Sequence, residues 1–356
     1  DKTYTVKVVS DSGNKYRFDD FGTSAVTLDL QEGSTYVFDQ SDSSNAGHPI
    51  RFGTSANGTD YTTGVTHTGT PGSAGAKTTL VLGTGVATLY YSCANHSGMG
   101  GQINTNSTAG ASNFNGSIQA TTKASTTYGF SAVSYTGNNS TSTVGHGLNA
   151  VPRWVIVKSR SADSPTGWMV KHSSLQSNYN LALNLTDTAW NPATNGWVGD
   201  LTSSTTFSLV NGSSNGNNVN QSNVTYIAYC WSEVPGFSKF DSYSGGTNPK
   251  TITTGFKPKF VIIKRTDTAN YWIMIDSVRG GTLKLAANDS GEENKLSTIG
   301  DTSQNVVQFL DDGFKLTTTN AGTNTSGGTY IYMAFADKPP GEIIDSLIDT
   351  PTNYES

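Results

Sequence analysis

The segment Val151-Pro152-Arg153-Trp154-Val155-Ile156-Val157-Lys158 returns later in the chain as Lys257-Pro258-Lys259-Phe260-Val261-Ile262-Ile263-Lys264. Each copy places a proline and a basic residue before an aromatic residue, three branched aliphatic residues and a lysine. A short apolar run without alternation is typical of a strand that is buried on both faces. Both copies therefore predict a strand in the middle of a β-sandwich.

The repeat extends to both sides of this strand. Three further landmarks keep their order, with shifts of 104 to 107 residues: Phe130-Ser131 returns as Phe237-Ser238, Trp168-Met169-Val170 as Trp272-Ile273-Met274, and Tyr226-Ile227-Ala228-Tyr229 as Tyr330-Ile331-Tyr332-Met333. A constant period of this length indicates tandem domains. We expect a first β-module at 128–235 and a homologous second β-module at 236–337. The two should pack closely, because the connection Glu233-Val234-Pro235-Gly236 is short.

The composition favours strands throughout the chain. Of 356 residues, 34% are hydrophobic, 10% are aromatic and only 14% are charged, and glycine occurs 39 times. This mixture suits short strands joined by polar turns, so the predicted fold class is all-β. The net charge is -5, and Lys and Arg do not cluster as phosphate contacts require, which argues against nucleic acid as a partner. No apolar run has the length of a membrane-spanning helix, so membrane insertion is not expected either.

The first hundred residues predict a separate β-domain, which we place at 1–103. Tyr4-Thr5-Val6-Lys7-Val8-Val9 alternates between polar and apolar residues, and Ala87-Thr88-Leu89-Tyr90-Tyr91 follows a glycine turn. The tract 104–127 is rich in Asn, Ser, Thr and Gly. It has little to bury and is predicted to be a linker. Beyond Pro339-Pro340, residues 338–356 are predicted to be a tail or a further linker.

One motif in the first domain carries metal chemistry. Tyr90-Tyr91-Ser92-Cys93-Ala94-Asn95-His96-Ser97-Gly98-Met99 places Cys93, His96 and Met99 at C-x2-H-x2-M spacing after a predicted strand. His48 lies upstream, in Asn45-Ala46-Gly47-His48-Pro49. A blue-copper site needs two imidazoles and a thiolate in one plane, with a weak thioether on the axis. Reaching inward from one tight loop, Cys93, His96 and Met99 would supply most of this set.

Here the sequence resembles the cupredoxins over residues 3–103. The resemblance implies a Greek-key β-sandwich with His48, Cys93 and His96 as equatorial copper ligands and Met99 as the axial ligand. Many cupredoxins place Asn or Ser after the first histidine, where it supports the copper thiolate, and this chain has Pro49 there. Hydrogen bonding around the thiolate is therefore expected to be weak. The alternatives are a bound copper or similar soft metal, which would stabilise the domain or transfer electrons, and a loop that binds no metal.

Other candidate residues were weighed against the internal repeat. His146 and His172 fall where the second copy has Thr254, or a neighbour, and Asp276. A catalytic role shared by both modules is thus excluded, and we expect both histidines to face solvent. No catalytic triad, phosphate loop or histidine cluster accompanies them, so the chain is predicted not to be an enzyme.

Two tryptophans occur in the first module only. Trp190 and Trp197 lie among Asn and Asp residues, and aromatic rings in such a setting stack on sugar rings. The alternative is that they fill the sandwich core or an interface between modules. The sequence leaves both roles open.

Further strings resemble those of structural proteins of marine tailed bacteriophages, over residues 1–103 and 128–354. These strings are His48-Pro49-Ile50-Arg51-Phe52, Tyr61-Thr62-Thr63-Gly64-Val65, Gly69-Thr70-Pro71-Gly72-Ser73-Ala74-Gly75-Ala76, Asn95-His96-Ser97-Gly98-Met99-Gly100-Gly101, Val144-Gly145-His146-Gly147-Leu148 and Pro339-Pro340-Gly341-Glu342-Ile343-Ile344-Asp345.

The phage resemblance implies a protein of the virion surface: a tail fibre, a head fibre or a capsid decoration. Its expected partners are other virion proteins, further copies of itself in a homo-oligomer, and a glycan or protein of the host surface. Two alternatives remain. One is a secreted blue-copper electron-transfer protein with a β-rich binding extension, and the other is a bacterial surface or filament protein.

Overall fold

A computed structural model describes residues 1–161, 167–191, 196–211, 219–291, 293–295 and 307–341. Apart from one 3-10 turn at Ser43–Asn45, the regular structure of these residues is entirely β-strand. The all-β prediction is confirmed. Within the same residues, no helix has the length and apolar character needed to cross a membrane.

The first domain is built from two facing sheets. Its strands are β1 (Lys2–Ser10), β2 (Asn14–Phe18), β3 (Leu28–Asp29), β4 (Thr35–Asp39), β5 (Ile50–Gly53), β6 (Val65–Thr68), β7 (Lys77–Val81), β8 (Leu89–Cys93) and β9 (Gly101–Asn104). One sheet has the order β2-β1-β4-β7-β6 and the other β3-β9-β8-β5. The pairs β1–β4 and β3–β9 are parallel and the remaining pairs antiparallel. Alternate residues of both sheets point into one aromatic-rich core that includes Tyr4, Phe18, Phe38, Phe52 and Tyr91.

The tract predicted to be a linker contains two strands instead. Strands β10 (Ala111–Asn113) and β11 (Ala120–Ser125) pair with each other, and between them Phe114, 3% exposed, enters the core of the first domain. The Tyr4 hydroxyl donates to the Ser112 carbonyl at 3.0 Å, and the Gln119 amide donates to the Thr27 carbonyl at 2.8 Å. We call residues 111–125 the clasp. The linker prediction is wrong here, because a few well-spaced apolar side chains and many backbone hydrogen bonds anchor a largely polar tract.

The first module continues from the clasp. Its remaining strands are β12 (Phe130–Thr136), β13 (Ser142–Gly145), β14 (Pro152–Ser159), β15 (Met169–His172), β16 (Leu181–Ala182), β17 (Trp197–Val198), β18 (Thr206–Val210) and β19 (Thr225–Ser232). A seven-stranded sheet has the order β10-β11-β12-β19-β14-β15-β16, and a three-stranded sheet has the order β13-β18-β17. They enclose a core that includes Val133, Val155, Phe207 and Tyr226. The repeated segment provides β14, between β19 and β15, as the apolar run predicts.

The second module repeats the order of β12–β19. Its strands are β20 (Ser238–Ser244), β21 (Lys250–Thr253), β22 (Phe260–Arg265), β23 (Trp272–Asp276), β24 (Leu283–Ala286), β25 (Asn294–Lys295), β26 (Val307–Leu310), β27 (Gly313–Leu316) and β28 (Thr329–Phe335). The orders are β20-β28-β22-β23-β24-β25 and β21-β27-β26. Among the described residues the second module has no counterpart of the clasp, and its strand β25 corresponds to the isolated bridge Asn180–Trp190 of the first module. Register agrees as well: Trp154 pairs with Trp231 in the first module, and Phe260 pairs with Phe335 in the second. The internal repeat seen in the amino-acid sequence is therefore also a repeat of the fold.

The two modules pack their large sheets against each other. A separate apolar core between them joins Trp154, Ile156, Val170 and Leu181 of the first module to Phe240, Trp272, Ile331 and Met333 of the second. The sheets therefore lie in four layers, with three, seven, six and three strands. The close packing expected from the short connection is present.

Hydrogen bonds also cross this interface. The Trp272 indole N–H donates to the Ala182 carbonyl at 2.9 Å. The Lys264 ammonium, fully buried, donates across the interface to the Thr186 carbonyl at 3.1 Å and, within its own module, to the Asn270 carbonyl at 3.0 Å. Buried polar groups that are paired in this way fix one relative position of the two sheets.

Candidate metal centre

The C-x2-H-x2-M segment forms a tight loop between β8 and β9. Cys93 is the last residue of β8, and Gly101 is the first of β9. A side chain at Gly100 would overlap the Tyr91 carbonyl, so the returning chain passes directly over β8 and requires glycine there. The loop turns Cys93 and Met99 inward, where they are 2% and 1% exposed, and leaves His96 exposed. The spacing of the motif therefore produces the inward Cys and Met that it predicts.

His48 reaches the same place from the segment after β4. Its backbone N–H donates to the Asn45 carbonyl at 2.8 Å. Its carbonyl accepts from the Gln40 amide and from the Tyr16 hydroxyl, both at 2.9 Å. Gln40 and Asn45 are themselves buried, at 1% and 0% exposure. These three contacts position His48 firmly, and none of the three partners was singled out from the sequence.

The structure brings three of the four predicted ligands into one cluster. The Cys93 Sγ lies 3.8 Å from His48 Nδ1 and 3.6 Å from His96 Nδ1, and the three donor atoms all lie within 4.8 Å of one another. A metal bound to one sulfur and two nitrogens separates the sulfur from each nitrogen by about 3.6 Å, given the usual bond lengths. The donor set and its spacing fit copper or a similar soft metal. Met99 is buried in the core that adjoins the cluster.

Protonation favours metal binding by His48. Burial, and then the charge of nearby His96, lowers the pKa of His48 below its usual range. The imidazole is therefore neutral at neutral pH, which is the form that binds metal. Burial also raises the pKa of the Tyr16 phenol, with Cys93 close by as a further cause. Tyr16 thus stays protonated and keeps its hydrogen bond to His48.

Support for the thiolate comes from Asn95. Its backbone N–H donates to the Cys93 Sγ at 3.4 Å, and its side-chain amide donates to the Gly47 carbonyl at 2.9 Å. The Ala94 N–H donates to the Pro49 carbonyl at 2.9 Å. The weak support expected from a proline after His48 is therefore corrected. Asn95, within the ligand loop, both hydrogen-bonds the sulfur and ties the two ligand segments together.

The cluster lies away from the rest of the chain. Strand β1 begins beside the clasp, where Lys2 and Tyr4 donate to the Ser112 carbonyl. Its far half lies beside the His48 segment, since the Val8 N–H donates to Ser44 at 2.9 Å. From Lys2 to Val8 the strand extends by about 20 Å at the usual rise per residue. The cluster and the first module therefore lie at opposite ends of the first domain.

The two histidines of the first module are not solvent-facing, contrary to the sequence prediction. Both His146 and His172 are 0% exposed, and burial lowers their pKa values to about 4 and about 3. His172 Nδ1 accepts from the Ser174 N–H at 3.0 Å, and its Nε2 lies 3.3 Å from the Tyr332 carbonyl of the second module. In the second module Asp276 accepts from the Val278 N–H in the same manner. His172 and Asp276 therefore hold the same kind of turn at the end of equivalent strands.

The two tryptophans considered for sugar binding are both half-buried. Trp190 packs against the core of the first module, and its backbone exchanges two hydrogen bonds with Asn180. Trp197 begins β17 and pairs with Val210. The packing of Trp190 against the core agrees with the alternative that this tryptophan fills the sandwich core. A role of either ring in sugar binding stays a prediction.

Among the described residues, His48, Cys93 and His96 form the one group of three or more His, Cys, Asp or Glu side chains close enough to share a metal ion. Comparisons with curated proteins and with solved structures give no match. A family model for a domain of unknown function, DUF7483, matches residues 102–339. This span contains the clasp and both modules, and it begins within β9, beyond the metal-ligand loop. Because the model covers more than half of the chain, the chain belongs to the DUF7483 family.

Proposed function

We propose that this chain is a non-enzymatic surface protein of a bacteriophage particle, a stiff β-array that carries a soft-metal site at one end. The observation that carries the proposal is the unbroken series of buried contacts along the chain. Phe114 of the clasp lies in the core of the first domain, and the sheets of the two modules share a core. These shared cores favour a fixed arrangement of the described domains.

A rigid array suits display on a particle. A tail fibre, head fibre or capsid decoration must hold its outer end at a fixed distance and orientation, and buried interfaces provide this without a flexible linker. The resemblance of several strings to phage structural proteins supports the same role. Partners in this setting are other virion proteins and, for host attachment, a surface glycan or protein.

We propose that the metal site is structural and stabilises the folded first domain. His48 and Cys93 are 45 residues apart in sequence and come from different sheet connections. A bound ion joins the two segments and stabilises only the folded domain. Copper, when bound, supplies a covalent thiolate bond and one-electron chemistry. His48, Cys93 and His96 would hold it, and Met99 would be the further ligand from the same loop.

A specific observation favours electron transfer as a second candidate. His96 is exposed while Cys93 beside it is buried, so one ligand reaches the protein surface. An exposed imidazole is a route for electrons between a buried copper and a docked partner. A secreted blue-copper protein with a β-rich extension would use the site in this way.

The metal proposal is tested by titrating the full chain with copper(II). A Cys–copper charge-transfer band at about 600 nm is expected. Saturation should stabilise the first domain by about 4 kcal/mol once the free metal exceeds the dissociation constant a thousandfold. Cys93→Ala should lose both effects. His67→Ala is the matched control, since His67 lies on β6 and contacts Thr78, and it should keep both. An intact chain with no band and no thermal shift would rule out the metal site.

The virion role is tested by immunogold labelling of purified particles, with antibody raised against the full chain. Regular labelling of heads or tails is expected, and it should disappear when the antibody is pre-absorbed with the protein. Label confined to the surface of uninfected cells would overturn the phage assignment and favour a bacterial surface or filament protein.

A further inference from the structure

The large sheets of the two modules overlap only in part. Apolar surfaces on the inward faces of both sheets therefore remain exposed. The inward face of each large sheet has two halves. Half A is formed by β12 and β19 in the first module and by β20 and β28 in the second. Half B is formed by β14–β16 in the first module and by β22–β24 in the second. Within the chain, half B of the first module covers half A of the second and also Lys264 and Trp272 at one end of the second module's half B.

The covered surfaces are closed to solvent except beside β15, where Trp168 is 36% exposed. In half B of the first module, Trp154, Val170 and Leu181 are each 0% exposed. In half A of the second module, Ile331 and Met333 are 2% and 4% exposed. These residues form the apolar core between the modules described above.

Half A of the first module and the rest of half B of the second carry the same apolar pattern but are more open. In half A of the first module, Tyr229 is half-buried where its equivalent Met333 is buried. In half B of the second module, Leu285 is 40% exposed where its equivalent Leu181 is fully buried. The half-buried apolar residues of the two open halves are Phe130, Ala132, Ile227 and Trp231 in the first module and Phe260, Ile262 and Met274 in the second.

We infer that a second copy of this chain covers these open halves. Half B of its second module lies on half A of the first module, as half B of the first module lies on half A of the second within one chain. Half A of the first module and half B of the second are different surfaces, so the contact is heterologous and each copy offers one of each to a neighbouring copy. The inference concerns the module faces alone and stands whether or not the chain is a virion protein.

Two features support this occupant over another partner. The open halves are continuous with the established interface, because Trp231 and Ile262 already pack at its border. Each open half is also the structural repeat of a surface that demonstrably binds its counterpart in this fold. A bulky Tyr229 and Trp231 in place of Met333 and Phe335 compensate for the small Ala132, which replaces Phe240.

The open half B brings no unpaired charge into the contact. Asp276 stands where the first module has the buried His172, and its carboxylate accepts from the Val278 and Arg279 backbone N–H groups. The Arg279 guanidinium neutralises it at 2.5 Å. A satisfied ion pair costs less to bury than a lone carboxylate.

The test is the mass of the full chain in solution, measured by light scattering during size-exclusion chromatography. The wild type is expected at twice the 37.6 kDa of one chain or more. Tyr229→Lys and Leu285→Glu alter one open half each, at side chains that the fold does not bury fully. Each should weaken assembly by roughly tenfold or more. Val81→Lys, at a 54% exposed residue of the first domain, is the matched control and should keep the wild-type mass.

Mixing the two variants separates a specific contact from a general loss of hydrophobic surface. A Tyr229→Lys copy and a Leu285→Glu copy share one wild-type contact and one Lys–Glu contact, so the mixture should recover the wild-type mass. The inference is overturned by a wild type that stays monomeric at every concentration, or by single variants that assemble like the wild type. Failure of the mixture to recover would also contradict it, since half A and half B would then not meet.

Discussion

Replacing Phe114 by alanine should unfold the first domain at a much lower temperature, although Phe114 lies outside the predicted boundary of that domain. The ring is 3% exposed, and its centroid lies 5.7 Å from that of Tyr4, 6.0 Å from Phe18 and 5.4 Å from Phe21. Truncation of a buried phenylalanine costs about 3 to 5 kcal/mol. For a domain of about a hundred residues this lowers the melting temperature by about 12 °C or more.

The assay uses the distribution of chromophores. All six tryptophans lie in the two modules, and the first domain has none. Tryptophan fluorescence therefore follows the modules alone, whereas differential scanning calorimetry records the unfolding of every domain. The calorimetric transition that has no counterpart in tryptophan fluorescence belongs to the first domain. Phe114→Ala should lower that first-domain transition and leave the tryptophan transition almost unchanged. Phe114→Leu keeps most of the buried volume and should lose less. An unchanged first-domain transition in Phe114→Ala would refute the clasp.

Three further outcomes are expected. Burial lowers the pKa of His172 to about 3, below its unfolded value, so its contribution to stability is complete above about pH 6.5 and falls by about 1.4 kcal/mol per pH unit towards pH 3. His172→Asn, measured by urea unfolding across that window, should show a shallower slope, and an identical slope would contradict the burial argument. Lys264→Met leaves the Thr186 and Asn270 carbonyls without their ammonium donor and should cost about 2 to 4 kcal/mol in the tryptophan transition, with exposed Lys257→Met as the control. Burial raises the pKa of the Cys230 thiol, so iodoacetamide should modify Cys230 only after unfolding; rapid modification of the native chain, read by mass spectrometry, would show that the core of the first module opens.

The duplication made much of the fold predictable. The strands around Trp154 and Phe260 occupy equivalent central places, and the landmarks at Trp168 and Trp272 keep their register. A sequence repeat shows which residues occupy equivalent positions in the two modules, because each copy must bury the same face of its sheet in its own core. It does not reveal how the copies face each other. Trp168 is 36% exposed and Trp272 is fully buried, and only the packing between modules distinguishes them.

The errors share one physical cause, which is that polar residues can be buried when their partners are distant in sequence. The clasp reads as a linker because Phe114 and Ile118 are isolated among polar residues, and their contacts come from Tyr4 and Val144. His172 reads as a surface residue because its acceptor, the Tyr332 carbonyl, lies 160 residues away. At the metal centre, ligand spacing identifies Cys93 and His96, but the role of Asn95 depends on Gly47 and follows only from the fold.

The clasp has a consequence for how such a chain can be reassembled from parts. The family match begins at residue 102, yet Phe114, twelve positions further on, belongs to the core of the preceding domain. A recombination that exchanged the first domain at that boundary would leave Phe114 with the modules. The new first domain would have no cavity to receive the ring, and the original first domain would have a cavity beside Tyr4 and Phe18. Only a first domain whose core has a cavity of matching shape would fold stably in its place. The boundary of the family match and the boundary of the folded first domain therefore differ by one hairpin, β10–β11.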